Sequence, residues 1–446
     1  MTTKNDSVQQ IDASPTKELF VSMLIRDIPL IRAIIDLVDN AVDGALRLQS
    51  GDYNGLSVRI EFDSVHLKIT DNCGGISVNV ARDYAFRFGH PKEADSIPGS
   101  VGHFGVGMKR AFFKLGRNFK VESTTKNAHF VIEENVDEWQ QKPDWHFQFK
   151  ELNENVTDVP EEKRGTIITV TNLHENISNE FKLDNFKNRL YLELETAHAI
   201  NLDKGLVITL NAIPLKVHPF SLLHSEQLQP AFKEIIYSKG ISPVRVKIFA
   251  GIAERDLSRG GWYIFCNGRM LIEADQTKIT GWGEGNGYVI PKYHPDFAYF
   301  RGYVFFDSDD AGLLPWTTTK TGVDDDASIY KAARLEMLTL MRPVLDFLRQ
   351  LAREKSHKEQ GEIDESALEK ALEKAESKKY SEIDTPNKFV APKPTPLPPS
   401  SPEVRWIRYS KPENKVKKVQ EILNIDTLKA AGEETFEYFF NMECDE

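Results

Sequence analysis

Cysteine is nearly absent: Cys73, Cys266 and Cys444 are the 3 in 446 residues, and their spacing fits no metal site. That excludes a disulfide framework or a zinc cluster and points to a reducing, cytoplasmic setting. Long apolar runs are missing too, none nearing the ~18 residues that span a bilayer. The opening segment, MTTKNDSVQQIDASP, lacks the apolar core of a signal peptide. No membrane partner is therefore expected. Positive charge is in deficit, 56 Lys and Arg against 67 Asp and Glu, a net −11. A dominant electrostatic grip on nucleic acid is not expected, although a local basic channel formed on dimerisation stays open. What is present, at 40% hydrophobic residues, suffices for two or three ordinary cores.

One stretch organises the rest. Residues 96–116, SIPGSVGHFGVGMKRAFFKLG, run from a glycine-rich loop into a helical pattern beginning at Met108. Glycines allow close backbone approach, and free N–H groups at a helix start face an anion, so such a loop can hold phosphate. The same glycines also make an ordinary turn. Upstream, IRAIIDLVDNAVDGALR places Ile34, Val38, Val42 and Ala45 on one helical face and Asp36, Asn40 and Asp43 on the other. A carboxylate can accept a proton from water, and an amide oxygen is a hard ligand for Mg²⁺; a solvated acidic face is the plainer reading. LKITDNCGGI ends a short strand at Asp71, either a buried acceptor for a base edge or an Asp-Asn-Gly turn. RGTIITV opens a strand at Gly165 and Thr166.

In order and spacing these pieces resemble the GHKL, or Bergerat-fold, ATPases: DNA gyrase B, the ninety-kilodalton heat-shock chaperones, MutL, MORC proteins and histidine-kinase catalytic domains. DLVDN (36–40), DNCGG (71–75), GHFGVGMKRA (102–111) and GT (165–166) look like the family's four motifs. The resemblance implies an ATP-hydrolysing domain that uses Mg²⁺. Asn40 would coordinate the metal. Asp36 would orient or deprotonate the attacking water. Asp71, helped by Thr166, would accept from the adenine amino group, and Gly75 would let the base pack on the backbone. Gly102, Gly105 and Gly107 would turn amides toward phosphate, with Val106 and Met108 in the same lid and Lys109 close by. Asp36 replaces the usual glutamate, about 1.3–1.5 Å shorter in reach, so slow turnover is expected. Cys73 replaces the first glycine of the second motif.

The expected fold is α+β, a Bergerat α/β sandwich followed by a ribosomal S5-like transducer and a small C-terminal segment. Residues 1–15 read as an arm, 16–203 as the ATPase domain and 204–360 as the transducer ending in a long helix. Residues 361–402 read as a charged, proline-rich linker and 403–446 as a docking segment for a partner protein. Phe181 to Leu202 reads as one connecting helix, Leu206 to Leu210 as the first strand of the second domain, and 135–160 as a surface insertion. FCNGRMLIEAD (265–275) resembles the family's transducer, and Asn267-Gly268 reads equally as a hairpin turn. LPWTTTKTGVD (314–324) holds Lys320, which the resemblance would bring to the terminal phosphate; a solvated loop lysine is the alternative.

The expected activity is that of an ATP-gated homodimeric clamp or switch, the alternative being a nucleotide-sensing module that regulates a partner. A histidine kinase is disfavoured because no histidine precedes Asp36. A topoisomerase or nuclease is disfavoured because no cleavage domain or metal cluster is seen after residue 360. MORC-like and chaperone-like layouts fit best.

Overall fold

A computed structural model describes residues 16–26, 28–49, 51–89, 99–101, 105–157, 159–238, 242–284, 290–317, 319–383, 385–396, 407 and 409–444. The N-terminal arm and Gly102 lie outside the described residues. The chain divides into two units, Met1–Thr395 and Pro396–Glu446.

The first unit opens with α1 (Lys17–Arg26) and α2 (Leu30–Leu48), followed by β1 (Ser57–Phe62), β2 (His66–Asp71) and a short α3 (Val78–Val80). The glycine loop leads into α4 (Gly107–Leu115), β3 (Gly116–Thr124), β4 (His129–Asn135), α5 (Val136–Gln141), β5 (Phe149–Asn153) and β6 (Gly165–Leu173). Next come α6 (Glu175–Phe181), α7 (Asp184–Ala197), α8 (Ala199–Asp203), β7 (Val207–Leu210) and β8 (Ile213–Pro214). Eight strands form one sheet in the order β5-β4-β3-β6-β2-β1-β7-β8, all neighbours antiparallel except β1 and β7. Alternating residues such as Val58 and Ile60, and Phe119 and Val121, face α2 and α4 across a dry core, the arrangement expected of a sheet covered by helices.

Two sequence readings change here. The connecting helix is two helices, α7 and α8, not one. The strand at Val207–Leu210 pairs in parallel with β1 on the first sheet instead of opening the second. Residues 135–160 are also more than surface. Trp139 is fully buried, and the Lys17 ammonium sits 4.1 Å from its ring centroid while donating to its carbonyl oxygen.

The second sheet, β10-β11-β14-β12-β13, comprises β10 (Ala231–Ser238), β11 (Pro243–Ile252), β12 (Gly261–Cys266), β13 (Arg269–Asp275) and β14 (Phe300–Ser308). One face packs Val246, Ile248, Ile264 and Val304 against α9 (Ser328–Glu359) through Met337, Met341 and Leu348. The other face is aromatic: Phe249, Tyr263, Phe265, Tyr303 and Phe305. Residues 361–395, read as a linker, instead fold back onto this body. α10 (Ala367–Glu373) buries Leu368, and β15 (Glu376–Lys379) pairs with β9 (Ser221–His224). The buried Glu354 carboxylate accepts from Ser366 Oγ and from the Leu368 and Thr395 amides. Apolar spacing inside a charged segment is what ties it down.

The second unit is a helical hairpin, α11 (Glu413–Leu423) and α12 (Leu428–Glu443), turned by Asn424 at φ 53. Phe436, Tyr438, Phe439, Phe440 and Met442 on α12 are exposed. No helix among the described residues is long and apolar enough to cross a membrane.

Candidate functional site

α2 is the spine of the site. It is buried on nearly every side, so its acids do not form a solvated face: Asp36, Asp39 and Asp43 are all buried. A helix enclosed all round must pair its charges. Each acid finds a partner from a different element. Arg110 of α4 holds Asp36 Oδ2 at 2.7 Å, the Val101 amide donates to Asp43 Oδ1 at 2.8 Å, and Lys320 reaches Asp39 Oδ2 at 2.9 Å. Asn40 keeps part of its surface, and its Nδ2 donates to the Asp36 carbonyl at 3.0 Å. Its Oδ1 makes no hydrogen bond among the described residues.

The second corner joins the end of β2 to the start of β6. Asp71 Oδ1 accepts from the Cys73 amide at 2.8 Å and the Thr166 amide at 3.2 Å. Burial pushes the Asp71 carboxyl up to about 6, and these two hydrogen bonds offset it only in part. Gly165 is required by close approach: a Cβ there would lie 1.9 Å from the Asp71 carbonyl oxygen. Asn40, Arg47, Asp71, Cys73, Met108 and Thr166 line one crevice of about 20 Å³ between α2, the sheet and α4. That is room for about one water. Gly75, at φ 72, lies beside it, its carbonyl oxygen 3.4 Å from Arg47.

The third piece is the glycine loop. Gly105 takes φ 63 and Val106 forms the cap of α4. Gly107 lets the helix start press on α2, since a Cβ there would be 3.3 Å from Asp36 Oδ2. Met108 points into the crevice. Lys109 is folded inward. It is 2% exposed, donates to the Ala85 and Gly105 carbonyls, and burial lowers its ammonium to about 7.

Residues 28–166 match the family described as Histidine kinase-, DNA gyrase B-, and HSP90-like ATPase, and this span runs from the start of α2 through Thr166, including all four motifs. Over that span the chain is similar to a GHKL-type ATPase domain. No curated protein matches the chain. The mixed α/β sandwich of the first sheet and its helices is the fold that this family implies.

Two of the joins between this domain and the second sheet bear on the site. Asn267, at φ 46 in the hairpin turn between β12 and β13, donates from Nδ2 to the Ser100 carbonyl at 2.9 Å and the Ser308 carbonyl at 3.1 Å. It thereby ties the root of the glycine loop to the end of β14, and Val101 beside it is buried in the second sheet's core. The Asn-Gly stretch is thus a hairpin turn and an anchor at once. Lys320 forms the second join. It sits at φ 51 on a tip closed by pairing of Trp316 with Val323, and is 8% exposed rather than solvated.

Sequence reading missed Arg47 and Arg110. Arg47 lies seven residues after Asn40, two turns along one helical face, which was a usable signal. Arg110 gave none, because its partner Asp36 is 74 residues away.

Proposed function

We propose that the chain is a magnesium- and ATP-dependent switch in which the nucleotide sits between α2, the end of β2 and the glycine loop. The observation that carries this reading is the convergence of Asn40, Asp71, Thr166 and Met108 on one crevice, with Asp36 against the start of α4. The residues present fit the ligand. Asn40 Oδ1 would hold Mg²⁺, a hard cation that takes oxygen ligands. Asp71 Oδ2, which makes no hydrogen bond among the described residues, would accept from the adenine amino group. A crevice this narrow has to widen to admit a base, and Met108 on α4 is the wall that adjoins Gly107. The bound nucleotide would supply a terminal phosphoryl group open to attack by water, with Lys320 offsetting its developing charge. The second sheet with α9 would act as the transducer, two copies would close as a clamp when ATP is bound, and the exposed face of α12 would dock a partner protein.

Asp36 decides between engine and sensor. It is one methylene shorter than glutamate, and its Oδ2 is already occupied by Arg110. Both features leave it poorly placed to take a proton from water, so slow hydrolysis and signalling by occupancy are favoured. Steady-state hydrolysis tests this: Asp36→Glu is expected to raise turnover about tenfold or more, against the 10²–10⁴ typical of a well-placed base, with nucleotide affinity little changed. Equilibrium dialysis showing no Mg·ATP binding, or a solution mass unaltered by a non-hydrolysable ATP analogue, would overturn the switch itself.

A further inference from the structure

Asp39 has more cation than it uses. Lys320 Nζ contacts its Oδ2 at 2.9 Å. Its Oδ1 makes no hydrogen bond among the described residues, although Arg269 Nε stands 3.7 Å away and His198 Nε2 3.8 Å away. Arg269 is 1% exposed, and among the described residues both its Nε and its Nη1 are without hydrogen-bond partners, as are both ring nitrogens of His198. Arg32, another nearby cation, is engaged with Glu193 at 2.8 Å. Leaving buried guanidinium donors unsatisfied beside a carboxylate is costly, so the arrangement calls for an explanation.

We propose that Arg269 is the reserve counter-ion of Asp39, placed so that Lys320 can leave for the nucleotide without stranding a buried carboxylate. This rests on the reading above, in which Lys320 serves the terminal phosphate. A buried ion pair broken by removing one partner is strongly unfavourable, and a lysine held this way would otherwise be locked in place. Arg269 has only to close from 3.7 Å to hydrogen-bonding range, and its planar fork then meets Oδ1 directly. His198 cannot do the same. Burial first, then the charge of Arg269, keep the imidazole neutral, down at about 3. With both cations in place, Arg269 first and then Lys320 outweigh the upward pull of burial on the Asp39 carboxyl. The geometry of the departing group suits the move. Lys320 stands at the tip of a tight turn, and Asp39 adjoins Asn40, so the lysine's resting place and the metal ligand are neighbours on α2. Arg269 is therefore a positioning residue that acts through Lys320.

The full chain is tested by comparing its affinity for a non-hydrolysable ATP analogue with that for ADP, both with Mg²⁺. Lys320→Ala is expected to abolish the wild-type preference for triphosphate. Arg269→Gln should pin Lys320 on Asp39 and reduce that preference at least about tenfold, while ADP affinity, which reports the folded base pocket, stays within about twofold. Arg269→Lys should behave as wild type. Asp39→Asn removes the carboxylate that both cations share, so Asp39→Asn/Arg269→Gln should recover the preference lost in Arg269→Gln. A merely structural Arg269 would leave the double variant as defective as the single, and that result overturns the exchange. So does an unchanged ratio in Arg269→Gln when Lys320→Ala has lost it. If Lys320→Ala retains the ratio, the role of Lys320 fails first and the exchange with it.

Discussion

Asp71→Asn is expected to weaken Mg·ATP binding at least about tenfold while leaving the nucleotide-free protein as stable as wild type or more so. An asparagine oxygen can still accept from the Cys73 and Thr166 amides, which approach Oδ1 at 2.8 and 3.2 Å. The other position becomes an N–H₂ donor facing the adenine amino group, so an attraction becomes a donor–donor conflict. Stability moves the other way because burial raises this carboxyl from 3.8 to about 6. Its ionised form is disfavoured by folding. The penalty is absent below pH 3.8, grows as pH rises through that window, and is complete above about pH 6. It is worth on the order of 2–3 kcal/mol. The substitution removes the penalty, so thermal stability at pH 7 should hold or rise, and its decline between pH 4 and 6 should flatten. Wild-type nucleotide affinity should fall as pH drops below about 6, where Asp71 takes up a proton and loses an acceptor. Calorimetric titration across pH 5–8, with melting curves alongside, reads both effects. Unchanged affinity in Asp71→Asn would remove this carboxylate from base recognition.

Gly165→Ala is expected to cost about 3 kcal/mol or more and to abolish nucleotide binding with it. The added carbon would lie 1.9 Å from the Asp71 carbonyl oxygen, 2.7 Å from its carbon and 3.0 Å from Asn72 Cα. All three are backbone atoms, so no side chain can step aside. The only relief is to part β6 from β2, where Ile167 pairs with Thr70, and that withdraws the Thr166 amide from Asp71. Gly322→Ala is the matched control, since a Cβ there meets nothing within 4 Å. It should stay within about 0.5 kcal/mol of wild type. Urea unfolding of the two variants makes the comparison, and a Gly165→Ala protein as stable as the control would show that the strands tolerate separation.

The four motifs were legible because each is a contiguous run whose chemistry is local. Helical spacing from Ile31 to Leu48, a strand ending at Asp71, glycines before α4, and Gly165-Thr166 at a strand start all depend on neighbours in sequence. The long helix Ser328–Glu359 and most strands of the first sheet were readable for the same reason. The sheet to which a strand belongs is a different kind of fact. Val207–Leu210 looks like any half-buried strand, and only its hydrogen bonds to β1 place it on the first sheet.

Charge pairing is the clearest divide. The sequence determined that α2 would carry Asp36, Asn40 and Asp43 on one helical face beside a nucleotide-type loop, and it did not single out Asp39. It could not say that the helix would be enclosed, because enclosure is supplied by α4, α7 and the second sheet. Once enclosed, each carboxylate needed a counter-charge or an amide, and the tertiary structure drew Arg110 from 74 residues away and Lys320 from 281. Lys109 shows the same rule in reverse, its ammonium folded inward onto two carbonyls instead of outward toward a phosphate. Local spacing fixes which groups stand on a helix, whereas burial, a property of the whole packed chain, fixes what each of them must touch.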